Sequence, residues 1–486
     1  MDELRRAPAD STNGTDDDGR PKRTGTFYTA SAHIITTVVG SGVLSLPWAI
    51  SQLGWIAGPM ALISFSLITL FASTILADFY RSPDPVSGRR NYTYMDVVKV
   101  NLGNHYHFRT CTGGRYNKLS GIAQYGNLVG FTTGYIITSA NSMVAIKRSY
   151  CFHKHGHSFG CHTTINPFII IFGVIQVFLS QIPNIQELSM LSLHTTVMCC
   201  CHAFIGLGLS VAKVAGQNEK LKFLSIILHL KSMFIDGDKS NTNNLWTTFT
   251  ALGNLAFAYG FSEVLIEIQD TLGSSKPENR VMKQASLAGI SISTLFYMSC
   301  GLLGYAAFGD KAPGNILAGF GFFEPFWLID LANIFVVIHL TGAYQICGQP
   351  VFGFMESSTR HRWPNTGLVN HEYAINVPGY GVYRFTLFRM IWRTTYVMIT
   401  TVIAMMFPFF NDIVGLIGAL SFWPLTVYFP IKMRIEKEKI PIFSFKWVWM
   451  QTLSMCCLLT SIAATVGSVG GIVKFLQTFK LFKSMD

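Results

Sequence analysis

Charged side chains are scarce in this sequence. Lys, Arg, Asp and Glu make up 13% of its 486 residues, against roughly 25% in soluble chains. Hydrophobic residues make up 50%. A soluble enzyme, a secreted disulfide domain and a disordered chain are all excluded on these grounds. Zinc-type cysteine spacing is missing, so no metal and no bound cofactor are expected. The ten cysteines do not form a disulfide framework, because eight fall in apolar runs or on the expected inner side. An early apolar core is missing too. Residues 1–26 are polar and carry Asp16-Asp17-Asp18 ahead of Arg20, Lys22 and Arg23, which is no cleavable signal. Residues 1–30 therefore read as a short disordered cytoplasmic tail, and the first apolar run acts as the membrane signal.

Long apolar runs are what the sequence does have. Half of its residues would fill about eleven segments of ~21, and a membrane-spanning helix needs ~20. The expected spans are roughly 31–53, 57–80, 118–146, 167–184, 187–212, 245–268, 285–308, 325–354, 388–409, 413–433 and 447–476. The runs are continuous rather than alternating, so the chain reads as an all-α polytopic membrane protein and not as a barrel. Lysine and arginine set the orientation. With the N-terminus inside, 25 of the 37 basic residues fall in inner segments and 12 in outer ones. Eleven spans then put the C-terminus outside. The weak point is the outer segment 213–244, which holds five lysines. The net charge of +11 reflects basic cytoplasmic loops rather than a nucleic-acid partner.

Span one is interrupted by Gly40-Ser41-Gly42, with Val43 next and Pro47 five residues after Gly42. Glycine tolerates non-helical dihedrals, and Pro47 removes a backbone donor. Unwound backbone is allowed at that depth only where it faces protein or a wet cavity. The N–H groups that open the following half-helix suit a carboxylate. Close helix packing by small residues is the other reading of this run. Span six is interrupted in the same manner, around Gly253-Asn254 and again at Phe257-Ala258-Tyr259-Gly260-Phe261-Ser262-Glu263. If spans 1–5 and 6–10 are two halves, the interruptions correspond. Five is odd, so the halves enter the membrane from opposite sides, as inverted repeats of secondary transporters do. Carbonyls near Phe257, Ala258 and Tyr259 would receive an ammonium group. Donors on span one and acceptors on span six describe a pocket for a zwitterion.

Five blocks carry a resemblance: SAHIITTVVGSGVLSLPWAISQLGW, RRNYTYMDVV, ALGNLAFAYGFSEVLIEIQDTL, FWLIDLANIFVVIHLTGAYQICGQPVF and FPFFNDIVGLIGALSFWPLTVYFP. They closely resemble the plant amino acid permeases of the amino acid/auxin permease family, over about residues 24–476. The resemblance implies a leucine-transporter-type fold, a 5+5 inverted repeat plus one extra helix. The core would be 31–433, with repeats near 31–214 and 245–433, and 434–486 would hold the eleventh helix and a short outer tail. It also implies amino acid import across the plasma membrane in symport with protons. It places Gly40, Ser41 and Gly42 on the family's carboxylate turn, and Phe257, Ala258, Tyr259 and Ser262 on its span-six break. The chain departs from the pattern at Pro47, at Gly260–Glu263 and at Cys199-Cys200-Cys201-His202. Those departures bear on substrate range.

Ionisable residues inside spans are costly and so are candidates. His33 lies seven residues below Gly40, and His339 lies midway along span eight. Histidine titrates near physiological pH and suits a proton carrier; a structural histidine bonded to a backbone carbonyl is the alternative at each. His194 and His202 read as structural. Glu263 lies one turn from both Tyr259 and Glu267, so the three would share a helix face. It is a proton site, a determinant for cationic substrates, or an acid lining the inner vestibule. Asn127 and Tyr344 are polar linings on corresponding spans, and Asp330 and Asp412 read as helix caps or entry gates. The outer cysteines Cys151 and Cys161 bracket His153, His155, His157 and His162. They face an oxidising side and could pair; the histidines suggest either metal capture or a solvated loop.

No repeated selectivity element supports a channel. The stretch around Cys111 offers a lone thiol without a base, which argues against an enzyme. The sequon at Asn91 falls on the expected inner side. The remaining alternatives are an importer of auxin or another organic acid, and a sodium-coupled amino acid carrier. The partners expected are small-molecule amino acids and the bilayer.

Overall fold

The structure, a computed structural model, describes residues 15–478 except 21, 41, 104–111, 157–159, 183–186, 217–241, 275, 321–324, 378–380 and 408–409. It is mostly helical. In chain order the helices are α1 (Phe27–Val38), α2 (Gly42–Ala77), α3 (Tyr94–Leu102), α4 (Thr112–His155), α5 (Asn166–Ser180), α6 (Glu187–Ala215) and α7 (Thr242–Ala258). They continue with α8 (Leu265–Gln269), α9 (Glu278–Phe308), α10 (Phe326–Arg362), α11 (Leu387–Met406), α12 (Phe410–Ser421), α13 (Phe429–Glu438) and α14 (Phe445–Thr478). A π-helical stretch, Phe422–Tyr428, joins α12 to α13.

Among the described residues, six helical stretches are long and apolar enough to cross a membrane: those in α2, α6, α9, α10, residues 411–438 and α14. α5 is a shorter apolar helix. The expected count of eleven is not reached on this measure, for physical reasons. α1 and α7 are 12 and 17 residues long because each stops inside an interrupted run. α4 carries Gln124, Asn127, Thr132 and Thr133, and α11 carries Arg389 and Arg393. Lipid exposure is nonetheless written on the outside. Phe178 is 74% exposed, Ile122 73% and Leu295 69%, while Gln124, Ser139, Gln176 and His339 are fully buried. Apolar outside with polar inside inverts the soluble pattern and marks a membrane surface.

Among the described residues, the fold departs from all-α in two small antiparallel hairpins. Arg81–Ser82 pairs with Arg89–Arg90, and Glu372–Val377 pairs with Gly381–Thr386. Neither was legible as a strand, since both sit in polar connections. Within α2 the chain turns at Gly54, whose φ of 82° only glycine adopts freely. This turn separates the expected spans one and two. α9 packs along α2 and α1, α10 along α4 and α6, and α12 along α7. α1, the start of α2, and α7 are thereby enclosed at the centre.

Candidate functional site

Two interrupted helices meet at that centre. α1 ends at Val38, and the Val39 N–H closes its last turn on Ile35 O at 2.8 Å. Gly40 is in a bend, Ser41 lies outside the described residues, and α2 starts at Gly42. α7 ends at Ala258, and residues 259–264 are non-helical before α8 begins. Isolated bonds of 3.0 Å (Gly260 N to Phe257 O) and 3.1 Å (Val264 N to Phe261 O) hold that stretch. Helix termini leave backbone groups without intrahelical partners. Here the C-terminal carbonyls of α1 and α7 converge on one side chain. Tyr297 Oη on α9 donates to Ala258 O at 2.9 Å and also reaches Val38 O. Tyr297 is fully buried. The two backbones themselves touch: a Cβ on Gly42 would lie 3.1 Å from both Cα and Cβ of Ala258.

Aromatic and sulfur-bearing side chains wall the junction. Phe257 packs on Phe131 of α4 with centroids 4.4 Å apart. Tyr135 Oη lies 3.4 Å from where a Cβ on Gly40 would stand, and 3.9 Å from Cys347 Sγ on α10. Cys199 Sγ on α6 donates to Val39 O at 3.7 Å. Val43 is buried beside the junction. Sequence reading missed Tyr297, Phe131 and Tyr135; it named Cys199 only as a departure from the family pattern. A tyrosine in an apolar run was the available signal, because a buried hydroxyl must find a partner.

Below the junction the carboxyl groups are matched with amides. Asn127 Nδ2 donates to Glu263 Oε1 at 2.8 Å. Gln124 Nε2 donates to Glu263 O at 2.8 Å and to Glu267 Oε1 at 3.0 Å. The expected shared helix face of Tyr259, Glu263 and Glu267 is not formed, because 259–264 is unwound. Tyr259 points elsewhere and donates to Thr294 Oγ1 at 3.1 Å. Ser262 is fully buried and its Oγ has no partner. A cavity of about 290 Å³ opens beneath, lined by His33, Val264, Glu267, Gln349 and Phe354 among others.

The remaining candidates lie apart from the junction. Tyr344 Oη pairs with Thr400 Oγ1 of α11 at 2.9 Å. His339 Nδ1 faces Thr195 O at 3.0 Å, and His202 Nδ1 faces Met198 O at 3.0 Å. Their rings are 5.6 Å apart and neither Nε2 has a partner. Asp330 accepts from Ser149 Oγ at 3.1 Å, and Asp412 sits in the first turn of α12. Cys151 and Cys161 are joined by a disulfide. Of the histidines near them, His157 lies outside the described residues and His153 stacks on Phe326. Asn91 is buried, its amide donating to Phe79 O at 2.9 Å.

The segment before α1 is not a free tail over residues 15–25, as the polar composition suggested. Arg23 Nη2 binds Asp18 at 2.7 Å and Asp270 at 2.9 Å, and its Nη1 binds Asp16 at 3.0 Å. Arg81 and Arg90 bridge Asp17 to Glu278. Gly25 pairs with Leu272 just past α8. Burial pushes the Asp16 and Asp18 carboxyls up, but hydrogen bonds from Arg23 outweigh it and hold both below the usual carboxylate range. Burial pushes Asp270 up, against the pull of Tyr80 and Arg23.

A family model described as transmembrane amino acid transporter protein matches residues 23–474. Amino acid permease 6 of Arabidopsis thaliana is 56% identical over 476 residues, covering 98% of this chain and 96% of its own length. Amino acid permease 1 of the same plant is 52% identical over 477 residues, covering 98% and 95%. Among solved structures, MhsT in complex with L-phenylalanine matches with a TM-score of 0.57 at 10% identity, covering 92% of this chain and 99% of that one. Mhp1, a nucleobase-cation-symport-1 family transporter in a closed conformation with bromovinylhydantoin bound, matches with a TM-score of 0.51 at 12% identity, covering 95% of each. At these identities the two structures speak to the fold alone.

Proposed function

The chain belongs to the transmembrane amino acid transporter protein family, and on that premise we propose that it imports amino acids across the plasma membrane in symport with protons, by alternating access. It is a membrane permease and not an enzyme. The observation that carries the reading is the junction at Gly42 and Ala258. Val38 O and Ala258 O, the negative ends of two half-helices, converge on the Tyr297 hydroxyl. An ammonium group satisfies such carbonyls. The N–H groups at the start of α2, from Gly42 and Val43 onward, are the positive end that suits a carboxylate. Gly40, Phe257, Ala258 and Tyr259 complete the described backbone of the two breaks. Phe131 and Phe257 give an apolar wall for a substrate side chain. Asn127, Ser262 and Tyr344 are kept as second-rank contacts, since Tyr344 is turned to Thr400.

Eleven spans in a 5+5 arrangement with one extra helix account for the paired interruptions. Inner orientation of the N-terminus is supported by the cluster of Arg23, Arg81 and Arg90 at one end. The Cys151–Cys161 disulfide at the outer end of α4 fits an oxidising compartment. The cavity under Val264 and Glu267 is then an inward route, and the Arg23–Asp270 contacts tie down the base of α8 beside it. His33, His339 and Glu263 are the candidates for carrying the coupled proton. Expression in an uptake-deficient cell, with a panel of amino acids and a pH jump, tests the reading. Uptake that rises with external acidity and ignores sodium is the expected result; sodium-dependent, pH-insensitive uptake overturns it.

A further inference from the structure

Gln124 and Glu267 face each other with a hydrogen-bond imbalance. One bond is made, Nε2 to Oε1 at 3.0 Å. The other two oxygens, Gln124 Oε1 and Glu267 Oε2, are both buried and both without a partner. An ionised carboxylate accepts only, and so does an amide oxygen. Two buried acceptors left unpartnered on one hydrogen-bonded pair cost free energy. One proton on Glu267 Oε2 removes the imbalance, because the O–H can donate to the amide oxygen and close a two-bond carboxyl–amide pair.

We propose that Glu267 with Gln124 forms a proton-binding site that couples proton occupancy to the span-six break. The proposal rests on the symport reading above. Gln124 supplies the coupling: its second amide hydrogen holds Glu263 O, in the unwound stretch, at 2.8 Å. Loss of the proton from Glu267 frees the amide oxygen of Gln124 and so loosens the side chain that pins the turn. The proton leaves as hydronium through the inner cavity, which Glu267 lines. No bond other than the O–H is made or broken.

Among the described residues, no Lys or Arg forms an ion pair with Glu267. Asp270 and Arg20 lie 4.0 Å from each other, and the Arg20 guanidinium is stacked on Tyr92 at 3.7 Å. Glu263 is taken by Asn127, and the Tyr94 hydroxyl by Leu425 O at 2.6 Å. Tyr125 stacks on Phe354, and His33 faces the same cavity.

Glu267→Gln keeps the shape and places an N–H where the acid proton would be, so it mimics the protonated state. Uptake in the wild type is measured first against pH; a pH-insensitive wild type overturns the symport reading and this proposal with it. Given a proton-driven wild type, Glu267→Gln is expected to keep exchange of internal for external amino acid. It is expected to lose accumulation against a gradient, with the pH dependence flattened at least tenfold. Retention of wild-type, pH-driven accumulation overturns the proposal alone. Gln124→Met serves where Glu267→Gln does not reach the surface. It keeps the acid and removes its partner, and is expected to move the half-maximal pH by at least one unit; an unmoved profile overturns the proposal.

Discussion

Gly42 and Ala258 are in contact across the two interrupted helices, close enough that a Cβ on Gly42 would stand 3.1 Å from the Ala258 Cα. At that spacing the neighbour must yield by a few tenths of an ångström for alanine and by far more for a branched side chain. Gly42→Ala is expected to lower uptake severalfold, and Gly42→Leu to abolish it, with surface expression kept in both. Equal uptake by all three proteins at matched surface levels would falsify the assignment of this contact to transport.

Tyr297 closes the same junction from the side. Its single hydroxyl hydrogen serves two carbonyls, so Tyr297→Phe leaves Val38 O and Ala258 O buried without a donor. A buried group left unpaired costs about 1–3 kcal/mol. The melting temperature of the substrate-free variant is expected to fall by several degrees. A substrate ammonium group can replace the lost donor, so saturating amino acid should restore more stability to Tyr297→Phe than to the wild type. A melting temperature that does not change, with or without amino acid, removes Tyr297 from this role.

The Arg23 cluster has a defined pH window. Asp16 and Asp18 have lowered values, so their contribution is fully present above the ordinary carboxylate value of about 4 and is lost as pH falls through the depressed values. Asp270, pushed up by burial, takes a proton before them. Protonation of Asp270, whose value is raised, favours the docked segment, so the protection factors of the amides of residues 22–30 are expected to hold from pH 8 down to about pH 4 and to fall only below that, as Asp16 and Asp18 take protons. Arg23→Ala should lower that protection at neutral pH. Identical exchange in the variant and the wild type would show that the segment is held by something else.

The interruptions themselves were legible because each needs a glycine or small polar residue inside an apolar run. Gly40-Ser41-Gly42 and Phe257–Glu263 stand out on that ground, and α1 and α7 do stop there. What fills the space between them was not legible. Tyr297 and Tyr135 are tyrosines in helical runs, and only tertiary packing decides which backbone carbonyl a hydroxyl meets. The docking of Asp16–Asp18 was hidden for another reason. A run of like charges reads as a solvated tail unless its partners are seen, and two of those partners, Arg81 and Arg90, are distant in sequence. Glu267 was masked by its helical spacing from Glu263. That spacing lost its meaning once the intervening turn unwound.

Glu263 gives the last expectation, on substrate choice. It lies in the unwound stretch beside Ser262, is 2% exposed, and accepts from Asn127 Nδ2. No Lys or Arg among the described residues pairs with it. A carboxylate there is short of positive charge, and a cationic substrate would bring it. At about 6 Å and an effective dielectric near 20, a unit-charge pair is worth roughly 2–3 kcal/mol before desolvation. That corresponds to roughly one or two orders of magnitude in affinity. Glu263→Gln keeps an acceptor for Asn127 and removes the charge. Its uptake of lysine relative to a neutral amino acid is expected to fall by about tenfold or more, while glutamate uptake rises. The measurement is side-by-side uptake of lysine, glutamate and one neutral amino acid at fixed pH and matched surface expression. If the three ratios stay as in the wild type, Glu263 does not sense substrate charge, and its bond to Asn127 serves to hold the turn.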